Sequence, residues 1–435
     1  MRRIARSEAL AGRVSYLYAC ALVTALYLFL PYGGYGRMME GKYICFLALT
    51  LGYFAAMCAV APSQEPRMMP MLCAAKEQCL MRIAAAAYFA CSAASALFSP
   101  YGAATLLGGS RRDGLLTLAL YAAAFYCLSR YLRPDRRLLY LAALSVTLCD
   151  LLALLQLAGR NPLWLYPAGL NYFDGDAAYA GFYAGVSGNV DFTAFLLALA
   201  VCMFTFAIVR LRLWTLAPSA ALTLCVLYRL GVAAAWVGLA CAAVCGLALL
   251  YPERRAAMLC ISAALMLAAL AFVWRYSGGS QTLTEASRLL RGEFDGSFGS
   301  GRLAIWRDCL YLARERPLFG SGPDTLWLRG VEPFVWYRDG VATPVDITAA
   351  HNEYLNILVN QGALALAAYL ALLALALARC FRHGSEPRFA LCGAGLLCYA
   401  AMASFSISTC ITAPYVWLLI AVQMPRSALN LRRGA

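Results

Sequence analysis

Of the two histidines in the chain, only one sits where it could do chemistry. His383 lies in the basic stretch RCFRHGSEPR and reads as a polar loop residue. His351 stands in AAHNEYLNILVNQGALAL, where a polar segment runs into an apolar one, so its imidazole is expected at a membrane surface on the first turn of a helix. The partial positive charge of a helix N-terminus disfavours imidazolium and keeps the ring neutral, able to accept a proton, and nearby arginines push the same way. Arg229 interrupts LTLCVLYRLGVAAAWVGLA. A charge between apolar helices is costly and marks a functional site by default, although an arginine at a helix end also snorkels to headgroup phosphates. Arg302, in SGRLAIWRDCLYLARERPLFGSGPDTL, opens a helical pattern beside glycines. Its guanidinium could present a planar fork to phosphate oxygens or simply be solvated. Asp174 and Asp176 form DGD, a spacing that suits a divalent cation or equally a turn at Gly175. No P-loop, nucleophile elbow or zinc-binding Cys/His spacing occurs in an exterior loop.

The elements that must hold these residues are apolar helices. The chain is 63% hydrophobic and 13% charged, with a mean hydropathy of +0.67, whereas soluble domains are about half apolar and about a quarter charged. Runs such as Leu138 to Ala158 and Leu230 to Leu250 are long enough to cross a hydrocarbon core of about 30 Å. Spans are expected near 16–31, 43–61, 83–98, 114–132, 138–158, 189–209, 213–228, 230–250, 256–274, 353–378, 389–408 and 411–424. The expected fold is an all-α integral membrane protein of about 12 transmembrane helices. The basic start MRRIARSEALAGR precedes an apolar stretch that ends in Pro31 and Gly33 without a small-residue cleavage site, so it reads as the first span and not as a secretion signal.

Clusters at Arg133, Arg136 and Arg137, at Arg254 and Arg255, and at Arg379, Arg382 and Arg388 mark cytoplasmic loops and put both termini inside. Residues 1–435 then form a single polytopic domain, with a smaller extracytoplasmic loop at 159–188 and a long one at 275–351 between spans 9 and 10. The long loop is expected to be partly helical. Thr282 and Glu285 make a capping box, and a second helix runs from Arg302 through Ile305, Trp306, Cys309 and Leu310 to a stop at Pro317 and Gly320. The net charge of +14 does not indicate nucleic acid, because the basic residues separate apolar runs and form no tract with interleaved aromatics. Most of the 18 cysteines fall inside apolar runs as small hydrophobes, and only Cys309 lies in the long loop, which argues against a disulfide framework.

Three segments together resemble the O-antigen ligase and O-antigen polymerase superfamily, bacterial membrane glycosyltransferases of the GT-C type. They are GVSGNVDFTAFLLALA (Gly185 to Ala200), Arg229 followed by small residues, and SGRLAIWRDCLYLARERPLFGSGPDTLW with HNEYLNILVNQGALALAAYL after a variable stretch. The family more often has Ser before the membrane arginine, where this chain has Tyr228. The resemblance implies transfer of a glycan from undecaprenyl pyrophosphate to an acceptor hydroxyl at the exterior face of the bacterial cytoplasmic membrane, with no metal and no cofactor. It implies that Arg229 and Arg302 bind the pyrophosphate and that His351 works at the acceptor.

Asn352 and Glu353 could orient the base or bind sugar hydroxyls, Tyr354 and Trp306 could stack on a sugar ring, and the amides of Gly320 and Gly322 could face phosphate. The same residues also read as a helix cap, an interfacial anchor and a turn. Specificity is expected around Val331 to Thr343. A ligase and a polymerase joining lipid-linked repeat units fit the residues alike. A polysaccharide transporter or flippase would share the span number, but the chain lacks the internal repeat such folds tend to show.

Overall fold

The computed structural model describes residues 2–60, 76–166, 185–332, 334–338 and 341–424. Asp174 and Asp176 lie outside them. A helix stands at every expected span: α1 (Arg2–Ala21, continued by a π-helical turn Leu22–Leu26), α2 (Met38–Val60), α3 (Lys76–Leu97), the short α4 (Ala104–Leu107), α5 (Leu115–Tyr131), α6 (Arg136–Leu157), α7 (Val190–Leu211), α8 (Ala217–Leu230), α9 (Ala233–Cys245), α10 (Leu247–Leu250) and α11 (Arg255–Trp274). The long loop carries α12 (Gln281–Leu290), α13 (Arg302–Glu315), β1 (Phe334–Arg338) and β2 (Val341–Val345), and α14 (Glu353–Arg382), α15 (Pro387–Met402) and α16 (Ala413–Ala421) follow.

Among the described residues, seven helical stretches are long and apolar enough to cross a membrane, and α5, α8, α9 and α15 are shorter apolar helices. The eighth expected span, 230–250, is not one helix. Gly231 closes α8 in the left-handed region (φ 69°), and Gly246 separates α9 from α10. The central element is α7, whose apolar window is 78% buried within the protein, whereas that of α11 is 6% buried and lies at the periphery. Polar side chains join α6 to α8: Thr147 bonds Ser219 at 2.9 Å and the Thr223 hydroxyl donates to Asp150 at 2.7 Å. In an apolar surrounding such bonds hold helices in register.

The most consequential departure from a simple bundle is in α14, which breaks at Gly362 (φ 86°, ψ 175°). The segment RPLFGSG supplies the partners that the break leaves exposed. Ala363 N–H donates to the Pro317 carbonyl at 2.8 Å, and Gly322 N–H donates to the Asn360 carbonyl at 2.7 Å. Ser321 donates to the Val359 carbonyl at 3.2 Å, and Ser95 of α3 to the Asn360 carbonyl at 3.0 Å. Every backbone group freed by a break at membrane depth needs such a partner. A Cβ on Gly362 would collide with the Leu318 carbonyl, and this backbone conformation is accessible almost only to glycine. Gly362→Ala is therefore expected to cost about 1–3 kcal/mol in strain alone and to lower the unfolding midpoint of the purified protein in detergent. An unchanged midpoint would show that the break is not required.

In the long loop one expectation is corrected. Thr282 and Glu285 form no capping box: α12 starts at Gln281 with Ser280 before it, so Thr282 lies inside the helix, while Glu285 accepts from Gln281 Nε2 and from Gly299 N–H, both at 2.8 Å. The loop also contains a two-stranded antiparallel hairpin, β1 with β2, pairing Phe334 with Val345 and Trp336 with Thr343, a small addition to an otherwise helical chain. Within the stretch expected to set specificity, the side chains of 333–343 are outside those described.

Candidate functional site

The second loop helix, α13, begins at Arg302 as expected, with Gly301 ahead of it in the left-handed region (φ 81°). Ile305 and Cys309 bury one side of α13 against Leu326, Ile347, Ala350, Leu355 and Val359. Arg302 and Trp306, four residues apart, share a neighbouring face. Trp306 Nε1–H donates to the Ala350 carbonyl at 2.9 Å, and its ring lies 6.2 Å from that of Phe405. This anchors the residue immediately before His351 and turns the Arg302 face toward the histidine. Trp306 thus ties the loop helix to the entry of α14, beyond any stacking on a sugar.

His351 is not on the first turn of α14. The helix starts at Glu353, and Asn352 is its N-cap, accepting from Leu355 N–H at 3.1 Å. His351 precedes the cap with φ 49°, so the chain turns sharply there. Glu353 is buried, accepts from Ser408 N–H at 2.7 Å and donates its own N–H to the Ala403 carbonyl at 2.7 Å. The Tyr354 hydroxyl donates to the Ala400 carbonyl at 2.8 Å. Both residues therefore lock the start of α14 to the end of α15. Gly320 and Gly322 have their amides committed to the carbonyls of Arg316 (2.9 Å) and Asn360 (2.7 Å), so they shape the turn against α14.

Burial, and then the fields of Arg111 and Arg302, push the His351 imidazole down from its ordinary value to about 3, so the ring is neutral at physiological pH. Arg111, which its sequence setting GGSRRDG presents only as one more basic turn, is the residue that sequence reasoning missed. The carboxylate of Asp324 clamps that turn, accepting from Gly109 N–H at 2.8 Å and Asp113 N–H at 3.2 Å. A Cβ on Gly108 would strike the same carboxylate, so the close approach depends on glycine. Held this way, Arg111 reaches the segment before the histidine, its Nε–H donating to Thr348 Oγ1 at 3.3 Å. Asp191, on the first turn of α7, lies within electrostatic reach of both Arg302 and Arg111. The signal that could have exposed Arg111 is the trio of glycines around the pair of arginines, which is more than a plain turn needs.

Asp113 and Glu353 line a cavity of about 20 Å³ with Tyr88, Tyr121, Tyr369 and Tyr399. That volume suits about one water and no sugar. Burial pushes the Asp113 carboxyl well above the usual carboxylate range, with Asp324 and Glu353 adding to the rise.

The structure brings His351, Arg302 and Trp306 together but not Arg229. Arg229 is exposed on the last turn of α8. Because α7 and α8 form an antiparallel pair joined by a short turn, Arg229 stands at the same end of the bundle as Asp191.

A bundle of apolar helices with a helical loop folded over one end, holding a neutral imidazole beside an arginine, is the architecture of a multi-pass membrane protein. Residues 218–370 match the family model described as O-antigen ligase, a segment that contains Arg229, Arg302 and His351, and the match supports membership of the O-antigen ligase superfamily. No curated protein sequence matches the chain. Members of the family are glycosyltransferase-like enzymes, ligases or polymerases, and the match together with the apolar helices supports a function of that general type in a bacterial membrane, with a lipid-linked glycan and an acceptor as partners.

Proposed function

We propose that the protein transfers a glycan from an undecaprenyl-pyrophosphate donor to an acceptor hydroxyl at the exterior face of the bacterial cytoplasmic membrane, in the manner of an O-antigen ligase. The observation that carries this reading is the neutral His351 imidazole held beside Arg302 at the loop side of the bundle. The acceptor hydroxyl gives its proton to a His351 ring nitrogen while its oxygen forms the new bond to the sugar C1. The bond from C1 to the phosphate oxygen breaks, and its electron pair leaves with the pyrophosphate. That group is held by Arg302, and Arg229, exposed at the same end of the bundle but apart from Arg302, meets the lipid-linked donor farther out. Stabilising the charge that develops on the leaving group requires fixed donors in a water-poor site, which arginines supply without a metal. Direct attack inverts the configuration at C1. Both termini lie on the cytoplasmic side in this reading, and Asn352, Glu353, Tyr354 and Trp306 shape the acceptor side.

The electrostatics make the base responsive to the donor. Without an anion, Arg111 and Arg302 weaken the imidazole as a base. A bound pyrophosphate offsets their fields and raises its basicity. The sign is therefore set. The group is active when neutral, and its titration in the free protein lies near 3, so kcat/KM should not fall through protonation of His351 between about pH 7 and pH 5. The acid limb of kcat should lie higher than that of kcat/KM, because the donor is bound. Reconstitution with an undecaprenyl-pyrophosphate oligosaccharide in excess chelator tests the reading: transfer should persist with that pair of profiles. Loss of transfer on chelation, restored by Mn²⁺ or Mg²⁺, would bring Asp174 and Asp176 forward and overturn it.

A further inference from the structure

We infer that Arg111 is a second anion-binding residue of this site, converging with Arg302 on the space in front of His351 to make a two-arginine clamp for a diphosphate. The inference rests on the reading above for its substrate, but the clamp itself rests on geometry. Arg111 and Arg302 come from separate elements and both reach the entry to α14, where each lies within electrostatic range of His351 and of Asp191. One sits on the α4–α5 turn held by Asp324, the other at the start of α13 held by Trp306. Both are half-buried. Arg111 uses only its Nε–H, on Thr348 Oγ1, leaving both Nη groups without a hydrogen-bond partner among the described residues, and the Arg302 guanidinium has none there either.

Several other arginines of the long loop are already paired. Arg288 pairs with Glu293 at 2.8 Å and Arg329 with Glu315 at 2.5 Å. Asp113 and Asp324 sense the charge of Arg111, yet neither comes within ion-pair distance of it, and Asp324 spends one oxygen on two backbone amides. Withdrawing a guanidinium from water without a close carboxylate is unfavourable unless an anion completes the arrangement. Two planar forks within range of one imidazole match the several oxygens of a diphosphate better than a single phosphate, since each fork can engage two oxygens. Arg111 lies outside the segment 218–370 that matches the family model, so this half of the clamp comes from the N-terminal part of the chain.

The test uses the full-length purified protein and inorganic pyrophosphate as a non-reacting probe, with inorganic phosphate as the comparison. Pyrophosphate should bind the wild-type protein more tightly than phosphate, and Arg111→Gln and Arg302→Gln should each weaken its binding about 10- to 100-fold, as expected for a lost charge-assisted contact. Arg111→Lys should recover part of that loss, and its melting point reports whether the turn has kept its fold. Equal pyrophosphate affinity in wild type and Arg111→Gln, or no pyrophosphate binding by the wild type at millimolar concentration, overturns the clamp. Glycan transfer is measured on the same proteins. Absent transfer with intact, Arg111-dependent pyrophosphate binding would sink the transferase reading alone. Normal transfer with an unchanged donor KM in Arg111→Gln would sink the clamp alone.

Discussion

His351→Ala should lower kcat for glycan transfer about 10²- to 10⁴-fold, the usual contribution of a positioned general base, while the donor KM stays close to that of the wild type. The acceptor hydroxyl still binds but has no group to take its proton as the new bond forms. The fold should tolerate the change, since among the described residues the imidazole makes no hydrogen bond and α14 is capped by Asn352 and tied down through Glu353 and Tyr354. A normal melting point with lost turnover would separate chemistry from folding. If His351→Ala turned over at the wild-type rate, the base would have to be sought elsewhere.

Arg302→Ala should have the second large effect, seen chiefly in kcat/KM. A charge-assisted hydrogen bond contributes about 1.5–3 kcal/mol, and a fork that grips two phosphate oxygens in the transition state puts the loss near 10²-fold or above. Part of it should appear in kcat, because the charge on the leaving oxygen grows as the C1 bond breaks. Arg302→Lys keeps the charge but not the planar fork and should fall between the two. Removing Arg302 also removes one of the two fields that hold the imidazole neutral, so the acid limb of kcat/KM should move upward in Arg302→Gln, with burial and Arg111 keeping it below the ordinary histidine range. The groups that bear on that titration are Arg111 and Arg302 directly, with Asp191, Asp113 and Glu353 around them. An Arg302→Ala protein with unchanged kcat/KM would remove the arginine from the site.

Much of the fold was legible because membrane helices announce themselves by composition: the apolar runs between arginine and glycine punctuation became helical, with 230–250 divided at Gly246. The start of α13 at Arg302 was legible for a local reason as well, a glycine followed by an amphipathic stripe. What stayed hidden depends on partners far away in the chain. NQGAL reads as uninterrupted helix, and Gly362 breaks it only because Pro317, Leu318 and Gly322 stand ready to pair with the freed backbone. The Thr282 and Glu285 pair has the spacing of a cap, but Glu285 is drawn to the amide of Gly299.

The site divides in the same way. His351 and Arg302 were visible as residue types in telling positions, whereas Trp306, Glu353 and Tyr354 have contacts that spacing could not assign, each fastening one element to another. Arg111 had only the glycines around it as a signal, and they do not say that Asp324, more than two hundred residues on, clamps its turn toward His351.

The most direct measurement is a single-turnover reaction of the reconstituted protein with an undecaprenyl-pyrophosphate oligosaccharide and candidate acceptors, following both products by mass. Release of one undecaprenyl pyrophosphate for each glycan gained by an acceptor hydroxyl, in wild type but not in His351→Ala, is the expected result. Movement of intact lipid-linked glycan across the bilayer with no such release, undiminished in His351→Ala and Arg302→Ala, would contradict a transferase site and make the protein a transporter.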